Sequence, residues 1–392
     1  MTGAETAGAG ARALHERTAG IEGRLAALAE RGVVIVDPRQ TYVAAEVRPE
    51  RLAAGAILHP GTCLRGARTL LGAGAEVGRE GPATLVDAVL GERARIDSGY
   101  CEGAVLLRQA AAGAAAHLRG GTLMEEEAST AHAVGLKQTI LLSFVTLGSL
   151  INFCDALIAG GTSRRDHSEV GSGYIHFNYT PWGKQGDKAT PSLCGDVPRG
   201  VLLRERRIFL GGSGGMIGPR TVGFGAVAAA GQVLRQDVAA GRLSLQPGRA
   251  LDRPLEPDFL DPAEPRLARN LRYVGELVAL RAWYRQVRRR RVPAGEGHEL
   301  ARAVVDAAIE NLDGAIAERV ARARAFARER GATWPALALA EEPACPLAIE
   351  ASAAEELDHV AWVQGLDDGA AAALHGWLAG IVAAVAGAGE GG

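Results

Sequence analysis

Residues 210–237 read LGGSGGMIGPRTVGFGAVAAAGQVLRQD, and Leu210, Met216, Val222, Ala228 and Leu234 recur at a strict interval of six. Neither an amphipathic helix nor an alternating strand has that period. A hexapeptide repeat fits a coil built from flat sides, each with its first residue inward and a turn next. Three sides complete one triangular turn, and stacked turns bury a column of small and medium aliphatic residues. Gly211 and Gly223 follow two of the inward positions and fit a sharp corner there. A sandwich or barrel would need strands at wider, less regular spacing.

The same interval links Ile57 with Cys63 and Leu90 with Ile96 further upstream. From about residue 43 to 245, glycine and short β-branched pieces alternate and no helical stripe persists. On the N-terminal side, Leu14, Ile21, Leu25 and Leu28 share one helical face, followed by Gly32. Beyond 250 the pattern turns helical. Leu267, Leu271, Val274 and Val278 mark one helix. Val305, Ile309, Leu312, Ile316 and Val320 mark another, and an apolar helix is expected over Ala370–Ala386. The expected fold is mainly β: a left-handed parallel β-helix with an N-terminal helix and a C-terminal α-helical appendage. The expected divisions are 1–32, 33–245 and 246–392.

Composition narrows the function classes. The 392 residues carry 43 basic and 45 acidic side chains, which argues against a globally basic nucleic-acid binder. Aromatics are 5%, in keeping with a narrow β-helical interior. The five cysteines are widely spaced with no CxxC, which reads as reduced thiols rather than a disulfide framework or zinc site. No apolar leader opens the chain, so a cytoplasmic protein is expected. Residues 138–161 carry one charge, Asp155, and have the length of a membrane span. Their polar residues and glycines favour buried strands, and no membrane role is expected.

The densest polar stretch is 171–200, GSGYIHFNYTPWGKQGDKATPSLCGDVPRG. It is too rich in Pro and Gly for a core and suits a loop on a rigid scaffold, where binding groups concentrate. Packing against a neighbouring subunit would use such a loop equally well. Asn178 and Tyr179 can hydrogen-bond amides or sugar hydroxyls, and Lys184 and Lys188 can hold phosphate.

Several short motifs occur in an ordered series: RGVVIVDP from Arg31, LRGG, GLKQT, GSLINFCD, FNYT with its following lysine, and IFLGG…AAAGQVLRQDV. In order and much of their spacing they resemble the acetyltransferase half of the bacterial bifunctional UDP-N-acetylglucosamine pyrophosphorylase/glucosamine-1-phosphate N-acetyltransferase. The resemblance covers roughly half the chain. It implies a hexapeptide acyltransferase, acetyl-CoA or another acyl-CoA as co-substrate with no tightly bound cofactor, and a homotrimer with sites between subunits. By the same resemblance, Arg119 and Lys137 match residues that hold the sugar phosphate. Asn178 and Tyr179 match the pair at the acetyl-CoA and sugar site, and Lys184 the lysine after it. Ala230 matches a small residue lining the CoA site, and Gly212 replaces a serine there. The Gly-rich phosphate loop of the family's uridyltransferase half has no counterpart near the start of the chain.

At one decisive position the sequence departs from that pattern. Ser149 stands where the family has its histidine base, and Asn152 where it has a nearby tyrosine. Serine does not deprotonate an ammonium at neutral pH, and losing a general base removes about 10²–10⁴ in rate. His176 and His167 lie near Asn178-Tyr179 and are the candidates to take the place of the missing base at the catalytic position of Ser149. His176 falls six residues after inward Val170, which reads as a packed histidine, although a hydroxyl acceptor activated by His176 is the alternative. His167 sits in a polar corner, Arg164–His167.

The sequence therefore indicates a hexosamine-phosphate- or nucleotide-sugar-binding, transferase-like protein related to UDP-N-acetylglucosamine biosynthesis. The alternative is a non-catalytic sugar-nucleotide binder or scaffold acting with a separate nucleotidyltransferase. Three features stay outside this reading. Arg288–Arg291 reads as a solvated helix end, with an anionic partner as the alternative. Glu125–Glu127 reads as an exposed turn, with a metal site as the alternative. Gly211–Gly215 reads as two coil corners.

Overall fold

The computed structural model describes residues 20–179, 188–246, 262–337, 342–352 and 358–387, with single residues 248, 250, 252, 254 and 339 between them. Its centre is a left-handed parallel β-helix whose strands run from Val34 to Ser244. One side is an 11-stranded sheet that climbs from Val34–Ile35 to Leu243–Ser244. The other two sides are joined into one 16-stranded sheet, because Gly135–Leu141 and Asn152–Ile158 run continuously across a corner. All pairing within the coils is parallel, as in Phe209 with Val227 and Val227 with Leu243.

The five inward residues read from the repeat are buried: Leu210, Met216, Val222, Ala228 and Leu234. Upstream, Leu90 and Ile96 are also inward. Ile57 and Cys63 are not; their neighbours Leu58 and Leu64 are the buried residues, so the interval was right and the register one residue off. Adjacent strand residues face opposite ways, so a step of one exchanges core for surface.

Glycine serves stacking as much as turning. A Cβ on Gly211 would lie 2.3 Å from Ala230 N in the next coil. The corners turn through left-handed residues, many of them not glycine. Ala133, Leu150 and Ser213 lie in one corner column, Gln138 and Asp155 in a second, and Gln109, Glu127 and Phe144 in a third. Each is pinned by the coil below, as Leu150 N–H is by His132 O and Glu127 N–H by Arg108 O. The Gly211–Gly215 segment holds one such corner, at Ser213, and Gly214–Ile217 is a strand.

Helix α1, over residues 20–30, closes the first coil through Leu25 and Leu28; Leu14, read as part of that stripe, lies outside the described residues. Beyond the coil lie three long helices, α2 (Ala263–Trp283), α3 (Glu299–Arg330) and α5 (Asp368–Ala386), with the short α4 (His359–Gln364) between the last two. Helix α5 is long and apolar enough to cross a membrane. It packs on α2, where a Cβ on Gly275 would come within 2.9 Å of Val382 O, and buries Leu374, Leu378 and Ile381. Residues 138–161 are strands and corners of the coil.

Two segments left unassigned by the sequence are each other's partners. Past Trp283, α2 runs into a π-helical turn, Tyr284–Arg288, which sets Tyr284 and Arg288 on the coil. Arg288 is bidentate to Glu126 at 2.7 and 2.9 Å and reaches Glu125 at 3.1 Å. Tyr284 Oη donates to Glu125 at 2.8 Å, and Ser143 N–H to the same carboxylate at 3.2 Å. Glu125, Glu126 and Arg288 are all buried. Burial raises the Glu125 carboxyl; for Glu126 burial is outweighed by the charge and hydrogen bonds of Arg288, which hold it below its usual value. Neither expectation for these segments holds. The glutamates are no exposed turn, and the arginines are no solvated end: Arg291 is buried and Arg289 pairs with Asp306.

Two stability measurements follow. Replacing Arg288 by Met strands two buried carboxylates and should cost about 3–5 kcal/mol in denaturant unfolding. Adding Glu125→Gln and Glu126→Gln should recover most of that loss. Glu276 on α2 accepts the Val197 N–H at 2.8 Å, and burial pushes its pKa from 4.5 to about 8. A raised folded pKa gives stability that is full below pH 4.5 and lost as pH rises toward 8. The melting temperature should fall over that window, and Glu276→Gln should flatten the dependence.

Candidate functional site

Arg119 and Lys137, two of the residues expected to hold phosphate, lie on one corner of the coil. Arg119, Lys137 and Cys154 follow one another on successive turns, Lys137 pairing with Cys154 across the sheet. The polypeptide then turns through Gly121, Gln138 and Asp155, all with positive φ. A cleft of about 150 Å³ opens beside this corner. Arg119, Lys137, Cys154, Asp155, Asn178 and Lys188 line it from the coil, and Glu318 and Arg322 from helix α3.

Four cations thus face two carboxylates, and both carboxylates are engaged. Asp155 accepts from Asn178 Nδ2 at 3.0 Å and pairs with Arg319 at 3.2 Å. Glu318 pairs with Arg319 at 2.7 Å and with Arg322. Lys137 and Lys188 have no carboxylate in ion-pair range among the described residues. Arg119 Nη2 reaches Cys154 Sγ at 3.7 Å, and its Nε is buried without a partner. Burial, reinforced by Asp155, pushes the Cys154 thiol up, so Cys154 presents a neutral thiol and not a nucleophilic thiolate. The cleft therefore carries an excess of cationic side chains, with an amide, Asn178, held at its edge.

Other expected residues fall elsewhere. Tyr179, next to Asn178, is 48% exposed and does not line the cleft. Lys184 lies outside the described residues. Ser149, Gly212 and Ala230 occupy the preceding corner, at the far end of the same side of the coil. There they form a ladder: Ser149 N–H donates to Ser172 Oγ at 3.0 Å, Ser213 N–H to Ser172 O at 2.7 Å and Gly231 N–H to Gly212 O at 2.9 Å. His132, one turn below, completes it. Its Nδ1 lies 3.0 Å from Ser149 Oγ. Ser149 thus has a histidine as its neighbour one coil away, which a linear reading of motifs does not reveal.

His176 is inside the coil. Its Nδ1 donates to Cys154 O at 2.5 Å, its Nε2 accepts from Ser192 Oγ at 2.8 Å, and its ring stacks on Phe153. Burial pushes its pKa down, so it is neutral with both nitrogens satisfied. Nothing in that setting hands a proton to a ligand, and of the two readings of His176 the geometry is that of the packed one. His167 Nδ1 bonds Arg164 O in an exposed hairpin.

The sequence reading missed Glu318, Arg319 and Arg322. Their signal was present: Arg319 interrupts the buried stripe of Ile316 and Ala323, and Glu318 and Arg322 are spaced for a helical ion pair. A buried arginine on an apolar face requires an acidic partner.

No family model matches the chain. Curated proteins do. Over 217 residues the chain is 32% identical to bifunctional protein GlmU of Nocardia farcinica, covering 55% of this chain and 38% of that protein. The GlmU of Streptomyces avermitilis is 32% identical over 218 residues, 56% of this chain and 40% of that protein. That of Thermotoga petrophila is 28% identical over 224 residues, 57% and 44%. The likeness is to GlmU. The chain spans less than half the length of these relatives, and the similarity agrees with the resemblance read from its motifs.

His176→Ala should behave as a core lesion. It removes two buried hydrogen bonds and a stacked ring, and should lower unfolding free energy by about 2–4 kcal/mol. Anion binding at the Lys137 cleft, followed by titration calorimetry, should be unchanged.

Proposed function

We propose that the cleft binds the phosphate of a hexosamine phosphate or nucleotide sugar, and that the protein is an acyltransferase-like member of UDP-N-acetylglucosamine metabolism. The convergence of Arg119, Lys137 and Lys188 around one cleft, with Asn178 beside them, carries this reading. Lysines act as point charges on phosphate and arginine as a planar fork. Asn178, fixed by Asp155, is placed to read a sugar hydroxyl or amide. Gly212 and Ala230, on the other corner, are assigned to an acyl-CoA co-substrate.

In one chain these two corners stand at opposite ends of a side of the coil. A homotrimer brings the first corner of one subunit against the second corner of its neighbour and makes a site from two halves. Phe209, Val227 and Leu243 support such contact: they form a ladder of exposed apolar side chains, 37%, 39% and 77% exposed. Within that site the base would be His132 acting beside Ser149, in place of the histidine of related enzymes. Acyl transfer to an amine needs the amine deprotonated, and an exposed imidazole can serve.

A second reading has its own support. The packed His176 and the serine at position 149 leave the acceptor without a histidine at the usual place, which suits a sugar-nucleotide-binding scaffold working with a separate nucleotidyltransferase. Titration with glucosamine 1-phosphate, UDP-N-acetylglucosamine and acetyl-CoA separates these cases. Binding of a sugar phosphate, lost about tenfold or more in Lys137→Ala, is the expected result. Turnover of an acyl-CoA abolished in His132→Ala makes the protein an enzyme. Binding without turnover leaves the scaffold, and no binding of any of the three overturns the site.

A further inference from the structure

Asn178 is held at the Lys137 cleft from two directions. Its backbone C=O accepts from Thr190 Oγ1 at 2.6 Å, and its side-chain Nδ2 donates to Asp155 Oδ2 at 3.0 Å. The first contact fixes the backbone and leaves the amide free to turn about its side-chain bonds. The second sets which way the amide faces. A carboxylate can only accept, so the NH₂ end turns to Asp155. The carbonyl Oδ1 accepts no hydrogen bond among the described residues, and it is the end of the amide left for the cleft that Asn178 lines.

Asp155 depends in turn on the helical layer. It is 5% exposed, and its other oxygen, Oδ1, pairs with Arg319 Nη2 at 3.2 Å. Arg319 is 2% exposed and belongs to α3. Its Nε donates to Glu318 at 2.8 Å, and Glu318 also accepts from Arg322. For Glu318 burial is outweighed by Arg319 and Arg322, which hold it below its usual value. A guanidinium is a planar fork, so fixing one edge on Glu318 aims the remaining nitrogens at Asp155. A buried carboxylate stripped of its cation is costly and turns to whatever donor it can reach. Arg319 itself does not line the cleft. Its influence there passes through Asp155.

We propose that Arg319 is a positioning residue for the cleft: through Asp155 it holds Asn178 with its carbonyl oxygen toward the ligand, so that the site selects a sugar offering a hydroxyl or N–H donor beside its phosphate. This rests on the reading of the cleft as a sugar-phosphate site, and it adds what distinguishes the sugar from the phosphate alone. Arg119, Lys137 and Lys188 answer the charge of a phosphate and nothing else. Asn178 Oδ1 is the group that answers a donor. Its direction is set by an arginine that the coil does not supply, from a helix that begins more than fifty residues beyond the last strand.

Titration calorimetry of the full chain with glucosamine 1-phosphate and with inorganic phosphate separates the two contributions. The wild-type chain should bind the sugar phosphate about tenfold or more tightly than phosphate. Arg319→Met should abolish that preference. A general lesion of the cleft weakens both ligands alike and leaves their ratio unchanged. Asn178→Ala should also abolish the preference, and the double variant should lose no more than Asn178→Ala alone, because residues acting through one contact are not additive. Asp155→Ala breaks the same link while Arg319 keeps Glu318, and Ala133 already adopts the left-handed corner conformation that position 155 requires. It too should lose the preference, and it carries the test where circular dichroism melting shows Arg319→Met unfolded. A folded Arg319→Met or Asp155→Ala that keeps the preference, additive losses in the double variant, or a wild-type chain without any preference overturns the proposal and leaves phosphate binding at the cleft standing. A wild-type chain that binds neither ligand overturns the reading of the cleft, and the proposal with it.

Discussion

Every other feature of this molecule depends on one constraint: each coil must stack on the one below with its backbone paired. That pairing fixes the height of a coil and leaves little volume between turns. It explains why Gly211 lies too close to Ala230 to bear a side chain. It also explains why Ala133, Gln138 and Asp155 accept a left-handed conformation that costs L-residues about 1–2 kcal/mol. The stack above and below holds them there. Once the corners are fixed, residues about eighteen apart in sequence stand on one another, and a corner becomes a column of neighbouring side chains.

Columns are how this fold builds chemistry. Arg119 and Lys137 converge because they take equivalent positions on successive turns, and His132 meets Ser149 for the same reason. No single motif contains a site. The consequence is a division between corners: cationic groups gather on one, and small residues with the His132–Ser149 contact on another. A ligand that needs both must lie along a side of the coil or between two coils.

Much of the architecture was legible because a hexapeptide period has few structural solutions. The inward positions from Leu210 to Leu234 followed directly. The slip at Ile57 and Cys63 shows the limit: where two aliphatic residues are adjacent, as in Ile57-Leu58, periodicity gives the interval but not the face. The cleft was legible in Arg119, Lys137 and Asn178, which the motifs carry. Its helical wall was not, since Glu318 and Arg322 are more than a hundred residues away in sequence and reach the cleft only after the helix docks, with Arg319 between them paired to Asp155. The Arg288 run and the Glu125-Glu126 pair failed for the same reason. Each alone reads as a solvated charge cluster, and only docking shows that each removes the other from water.

The helical layer changes what a bare β-helix can do. Glu125 and Glu126 follow inward Met124 and lie on the helix-facing side of the third corner, and their burial there is tolerable because Arg288 and Tyr284 reach them from the helical layer. Buried ion pairs add little net stability over apolar packing, but they penalise any arrangement that leaves one member unmatched. The helices are thereby held in one register on the coil. Held in that register, α3 delivers Arg319 to Asp155 twenty residues beyond the start of the helix, and Glu318 and Arg322 to the rim of the cleft. The geometry at the cleft is thus coupled to a docking contact on another corner through a rigid helix of 32 residues. The helices act as a structural wall to the Lys137 cleft rather than as a tethered appendage.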